Sequence, residues 1–374
     1  MSLPILLKSG MAGAPVLAGA NGSVNALLNA CLVNGFNTQS VSSATASGGV
    51  VTFNFASSPG FSALDTVTIA GASNSAVNGQ KRVQSAASNQ VLVAAPGVPD
   101  GAVGGTITLK FSPLGWTRTY SGTNLGVYRQ GGTSTTKRYL RVYDATLAGG
   151  GGYALRAYEA MTAISTGTGP FPTTTQVGSN GTTATISSVT AVPWVMVGTP
   201  RFFWVMHGYN GDYSASMDMQ ASDTNLWCFG ELADITKAAD AYACIVSGAS
   251  GFPAAQGFIA RKGSGVSGAD GCSVASPMAN ALSLGHSWPT ASGNQSLLGT
   301  PAIADTSSSG IRGFLPGTLA SDVAFVNAGA VLPGAVASSI TGVSGRILYL
   351  RAHLSYGGNH GDGVVLLDED WGDV

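Results

Sequence analysis

The sequence predicts a mainly β protein: a β-sandwich-like body with one N-terminal helix, into which a small β-sandwich or barrel domain is inserted. Three observations carry this. Apolar residues fall mostly in short runs rich in Val, Ile, Thr, Phe and Tyr, bounded by Gly, Asn, Ser and Pro clusters, which is the pattern of strands and tight turns. One segment alone shows clear helical spacing. A dense block of strand signals at residues 41–111 then separates that helix from the strands of the body.

Taken in order, the chain opens with a short apolar run, Leu3 to Leu7, whose only nearby cation, Lys8, follows it. A signal peptide places its charge first, so this is not read as an export signal. "NGSVNALLNACLVNGFN" offers Ser23 as a helix N-cap, apolar Val24, Leu27, Leu28, Cys31 and Leu32 on one face, and Gly35 as the stop. "GVVTFNFAS", "DTVTIAG", "KRVQSAAS", "QVLVAAP" and "GTITLKF" read as about five strands within 41–111. If that segment closes its own sheet, its ends lie close together and insertion after the helix is topologically cheap. Strand signals resume at 139–145, 152–161, 191–198, 200–208, 225–235, 241–248 and 345–354. The Gly, Ala, Ser and Pro-rich stretch 249–340 reads as long ordered loops or arms. The expected divisions are 1–40 (arm and helix, part of the body), 41–111 (inserted domain), 112–248 (β-rich body) and 249–374 (loop-rich remainder of the body).

Composition bounds the partners. Only 9% of residues are charged, against ~25% in an average soluble protein, while 44% are hydrophobic, enough for a packed core rather than a disordered chain. A surface so poor in charge, with a net charge of −1, favours association. The expectation is a subunit of a permanent assembly: a homo-oligomer, most simply a trimer, with the loops of 249–340 against neighbours and contacts dominated by packing and backbone hydrogen bonds. With 17 Lys and Arg against 18 Asp and Glu there is no basic field for nucleic acid, and no apolar window reaches the roughly 18–20 residues of a membrane helix.

Candidate chemistry is weighed residue by residue. Cys31, Cys228, Cys244 and Cys272 are widely spaced, with no metal-ligand pattern, and read as buried thiols in a reducing cytoplasm. "GSGVSG" at 263–268 has the glycine spacing of a dinucleotide loop but lacks a preceding strand and a following helix. Asp368, Glu369, Asp370 and Asp373 lack a cation loop's alternation and read as a solvated acidic tail. His207, His286, His353 and His360 form no H-E-x-x-H or H-x-H pair, and Glu159, Glu231 and Asp234, the carboxylates of a conceivable glycosidase, sit in ordinary strands. Trp194, Phe202, Phe203, Trp204, Trp227 and Phe229 suit a sheet buried on both faces, because neighbours on a strand point to opposite sides. No catalytic residue, cofactor site or metal ligand is assigned, and the chain is not read as an enzyme.

Two groups of residues carry a resemblance. "AGAPVLAGANGSVNALLNACLVNGF", then "GWTRTYSGTNLGVYRQ", "YLRVYDAT", "ALRAYEAMTAISTGTGPFPT" and "FGELADITKAADAY", over residues 10–40 and 113–247, resemble an uncharacterised family of virion structural proteins of tailed bacteriophages and prophages. In that family the helix often runs almost directly into the G-W-T motif, which implies that 41–111 is an insertion. The inserted segment is similar to Gly/Thr-rich β-modules of phage tail and capsid proteins through "DTVTIAGASNSAVNGQKRV". The resemblance implies a virion protein assembled in the bacterial host cytoplasm, with other virion proteins as partners. The leading expectation is a capsid decoration or minor capsid (cement) protein, and the alternative is a tail component (baseplate, fibre or spike) that contacts the host.

Overall fold

In the computed structural model of the chain, the described residues are 3–132, 137–148, 151–172, 181–187, 190–208, 224–233, 244–247, 258–260, 272–273, 302–304, 311–320, 335–337, 345–353 and 360–371. The helix forms where its apolar spacing places it. An α-helical stretch, Ser23–Leu28, continues into a π-helical turn, Asn29–Asn34, and Val24, Leu27, Leu28, Cys31 and Leu32 are all buried. Gly35 ends it at φ 71°, its amide on the Ala30 carbonyl. Ser23, however, is not the N-cap. Gly22 holds that position at φ 86°, and the Ser23 hydroxyl donates instead to the Ala18 carbonyl at 2.6 Å. The cap comes from far along the chain: the Asn25 amide donates to Asp144 Oδ2 at 2.9 Å, a carboxylate where free helix amides favour negative charge.

Beyond the helix the chain builds a closed barrel. Phe36–Ser40 and Ser43–Ser47 are two halves of one bent strand, and Gly101–Ala102 and Gly105–Phe111 are halves of another. These two long strands pair along their whole length, with Phe36 opposite Phe111, Ser40 opposite Thr108, Thr45 opposite Ala102 and Ala46 opposite Gly101. Between them run Val50–Asn54, Gln90–Ala94, Gly79–Ala87 and Thr66–Ala72, each antiparallel to its neighbours, so the sheet returns to its own start. Every second residue points inward: Ala44, Ala46, Val51, Phe53, Val67, Ile69, Val91, Val93, Ile107 and Leu109 are buried. A barrel must bend its strands, and Gly71 at φ 81° and Gly105 at φ 114° supply one bend; a Cβ on either would overlap the facing backbone. The strand Phe36–Ser40, expected with the helix, thus belongs to the barrel.

The barrel hands the chain back to the helix. The amides of Leu114, Gly115 and Trp116 donate to the carbonyls of Cys31 and Leu32 at 2.9–3.1 Å, satisfying carbonyls that the end of the helix leaves open. From there the body is layered. An outer antiparallel sheet orders Thr117–Gly122, Leu125–Arg129, Tyr139–Tyr143, Gly152–Ala163 and Thr166–Phe171, with Thr182–Thr185 also on the long strand. A central sheet orders Ile5–Lys8, Trp194–Gly198, Phe202–Gly208, Thr224–Glu231, Cys244–Ser247, Phe258–Ala260 and Cys272–Ser273. A third sheet orders Thr318–Ala320, His360–Leu366, Ile347–His353 and Val336–Ala337.

The central sheet is buried on both faces, as its aromatic runs require. Trp194, Phe203, Trp227 and Phe229 join one apolar cluster with the helix, the outer sheet and the barrel. Phe202, Trp204 and Cys228 face the other way and pack with Leu315, Leu348, Val365, Leu367 and Trp371. All six of the aromatics singled out in the sequence are core residues. Within 249–340 the described residues are short strands of two to four residues, too short for an alternation to register in sequence. No helix among the described residues is long and apolar enough to cross a membrane.

Candidate functional site

Among the described residues, three groups of buried polar side chains link elements of the body. His207 lies on the central strand Phe202–Gly208, 1% exposed. Its Nδ1 is 2.7 Å from the Gly208 carbonyl and its Nε2 2.7 Å from the Tyr153 hydroxyl. A carbonyl only accepts, so Nδ1 carries the proton and Nε2 accepts from Tyr153. Burial pushes the imidazole down to about 4, against a smaller upward pull from the Gly208 hydrogen bond, and burial pushes the Tyr153 phenol well above its ordinary value. Both partners are therefore neutral. The bond fastens the outer sheet to the central one, and its seclusion keeps the imidazole from acting as a base on a substrate.

A second seam joins helix and outer sheet. Asn25 Nδ2 donates to Asp144 Oδ1 at 2.7 Å and to the Val142 carbonyl at 3.3 Å. The Tyr128 hydroxyl donates to the Asn25 carbonyl at 2.9 Å, and burial raises that phenol's pKa too. A third is the ion pair of Arg201 Nε with Glu231 Oε2 at 2.7 Å, with Glu231 3% exposed. Gln130 Nε2 donates to the Arg201 carbonyl at 2.7 Å, carrying the link to the outer sheet. Glu231 is thus engaged in an ion pair between neighbouring strands of the central sheet.

The other residues weighed in the sequence disperse. Cys31, Cys228 and Cys244 are buried thiols, and burial raises the pKa of Cys31 and Cys244 well above the ordinary value, which makes them poor nucleophiles. Glu159 is half-buried on the outer sheet. Asp368 bonds Arg346 and, at 2.9 Å, Arg82 of the barrel. Partial burial opposes its ionisation, but the Arg346 hydrogen bonds and the two cationic charges outweigh this and hold it below the usual carboxylate value. Asp368 is therefore a clasp between the barrel and the third sheet, while Glu369 is exposed. His353 and His360 are opposed in register at the end of a hairpin. Residues 263–268, Asp234, His286 and Asp373, and the side chain of Cys272, lie outside the described residues. Among the described residues no three His, Cys, Asp or Glu converge as a metal site would require.

What remains is the far face of the outer sheet, on which Val127, Arg156, Tyr158 and Met161 are themselves buried. On the outer sheet, Tyr128, Leu140, Val142, Tyr153, Leu155 and Ala157 point inward to the core. The alternate residues form the opposite face. Register places Arg129 beside Tyr139 and Tyr139 beside Tyr158 in one row, and Val127 beside Arg141 and Arg141 beside Arg156 in the next. Arg129 Cζ lies 5.3 Å from the Tyr139 ring centroid and Arg141 Cζ 6.0 Å from that of Tyr143, within range of a cation–π attraction. Val127, Tyr158 and Met161, with Tyr120, Tyr139 and Ile164 around them, make a small apolar cluster under the guanidinium groups. The alternation of Tyr139, Arg141 and Tyr143 is visible in the sequence, but the arrival of Arg129 and Arg156 beside them depends on register.

Neither a protein-family model nor a curated protein matches the chain. The described residues show hydrogen-bonded polar links between elements of the body, and a largely buried Arg/Tyr face on the outer sheet.

Proposed function

We propose that the chain is a structural subunit of a tailed-bacteriophage virion, a capsid decoration or minor capsid protein that stabilises the particle by packing between subunits. One observation carries the reading. The two segments whose motifs resemble virion proteins are separated in sequence by the barrel, yet they are joined in space. Phe36 and Phe111 are direct partners, and the G-W-T segment bonds straight to the helix end through Gly115 and Trp116. A module inserted into a continuous scaffold has this layout, and the motif resemblance calls for it. Sparse charge and buried thiols fit a part assembled in a reducing cytoplasm.

Quantitative protein staining and mass spectrometry of purified virions test this. A decoration protein is present in proportion to the major shell protein. A handful of copies per particle would move the chain to the tail, and absence from the particle would overturn the reading altogether.

A further inference from the structure

We draw no further inference here: the strongest candidate, the shallow cavity lined by Thr199, Arg201, Glu231, Pro316 and Trp371 at the end of the central sheet, carries nothing, because its two charged side chains are already joined in the Arg201–Glu231 ion pair at 2.7 Å and nothing in the structure shows what would occupy it.

Discussion

Replacing the buried pair by two phenylalanines, His207→Phe with Tyr153→Phe, should remove a large part of the protein's acid sensitivity. In the native chain the imidazole stays neutral until pH nears 4, whereas an unfolded chain takes up the proton near the ordinary value of 6.5. Between those limits the unfolded state binds more protons, so stability falls as pH drops below 6.5, and the loss is complete only below about 4. A difference of about 2.5 in pKa, at about 1.4 kcal/mol for each, comes to about 3.5 kcal/mol in all, of which about 3 kcal/mol is lost between pH 7 and pH 4. Above pH 7 the pair adds no pH dependence. Removing both partners leaves no orphaned donor or acceptor between the two side chains. Urea unfolding of both proteins at pH 7, 6, 5 and 4 reads the effect as a difference of free energies, in which the other titrating groups largely cancel. The stability advantage of the native chain over the variant should shrink by about 3 kcal/mol between pH 7 and pH 4. An advantage constant across that range would refute the reasoning, because it would mean that His207 is not held neutral by burial.

Excising the barrel by joining Gly35 to Ser112 should leave a body that still melts cooperatively by circular dichroism, since the joined ends are adjacent; global unfolding would show the barrel to be integral. Gly35→Ala should cost about 1–3 kcal/mol in urea unfolding, because φ is 71° and a Cβ would strike the Phe111 carbonyl. Trp204→Ala, which empties a fully buried indole site and removes its hydrogen bond to Thr318 Oγ1, should cost about 3–5 kcal/mol. Asp368→Asn should lower the melting temperature only slightly, by less than about 1 kcal/mol of stability, because this clasp is partly exposed and screened. Its contribution should be present above the ordinary carboxylate range and fade as pH falls through the lowered pKa.

Strands are legible in the sequence where apolar alternation is strong, as at Tyr139–Tyr143 and Val50–Asn54, whereas Thr117–Gly122, Leu125–Arg129 and Thr166–Phe171, where that alternation is weak, give no such signal. The aromatic runs Trp194–Gly198 and Phe202–Gly208 announced a sheet covered on both sides, because no solvent-facing position interrupts them. Closure of the barrel was not decided by these local patterns, which allowed a sandwich equally. It depends on pairing Phe36–Ser40 with Gly105–Phe111, a contact between the two ends of the module. The helix start was misassigned for a related reason. Ser23 has the chemistry of a cap, but Asp144, distant in sequence, already serves the Asn25 amide. His207 has no ligand spacing in the sequence, and its hydrogen-bond partner Tyr153 lies on another sheet, to which no sequence spacing points. The Arg/Tyr face was half legible, in one strand out of three.

The second face of the central sheet has a consequence for the nascent chain. Phe202, Trp204 and Leu226 leave the ribosome long before Leu348, Val365 and Trp371, which cover them. At ~5–20 residues per second the gap lasts roughly 10–30 s. Throughout that interval a wide aromatic sheet stands naked, open to chaperones and proteases alike. A polypeptide released early, by a nonsense codon or a stalled ribosome, would never conceal it. Only finished molecules lose this mark, so an incomplete chain carries its own signal for removal.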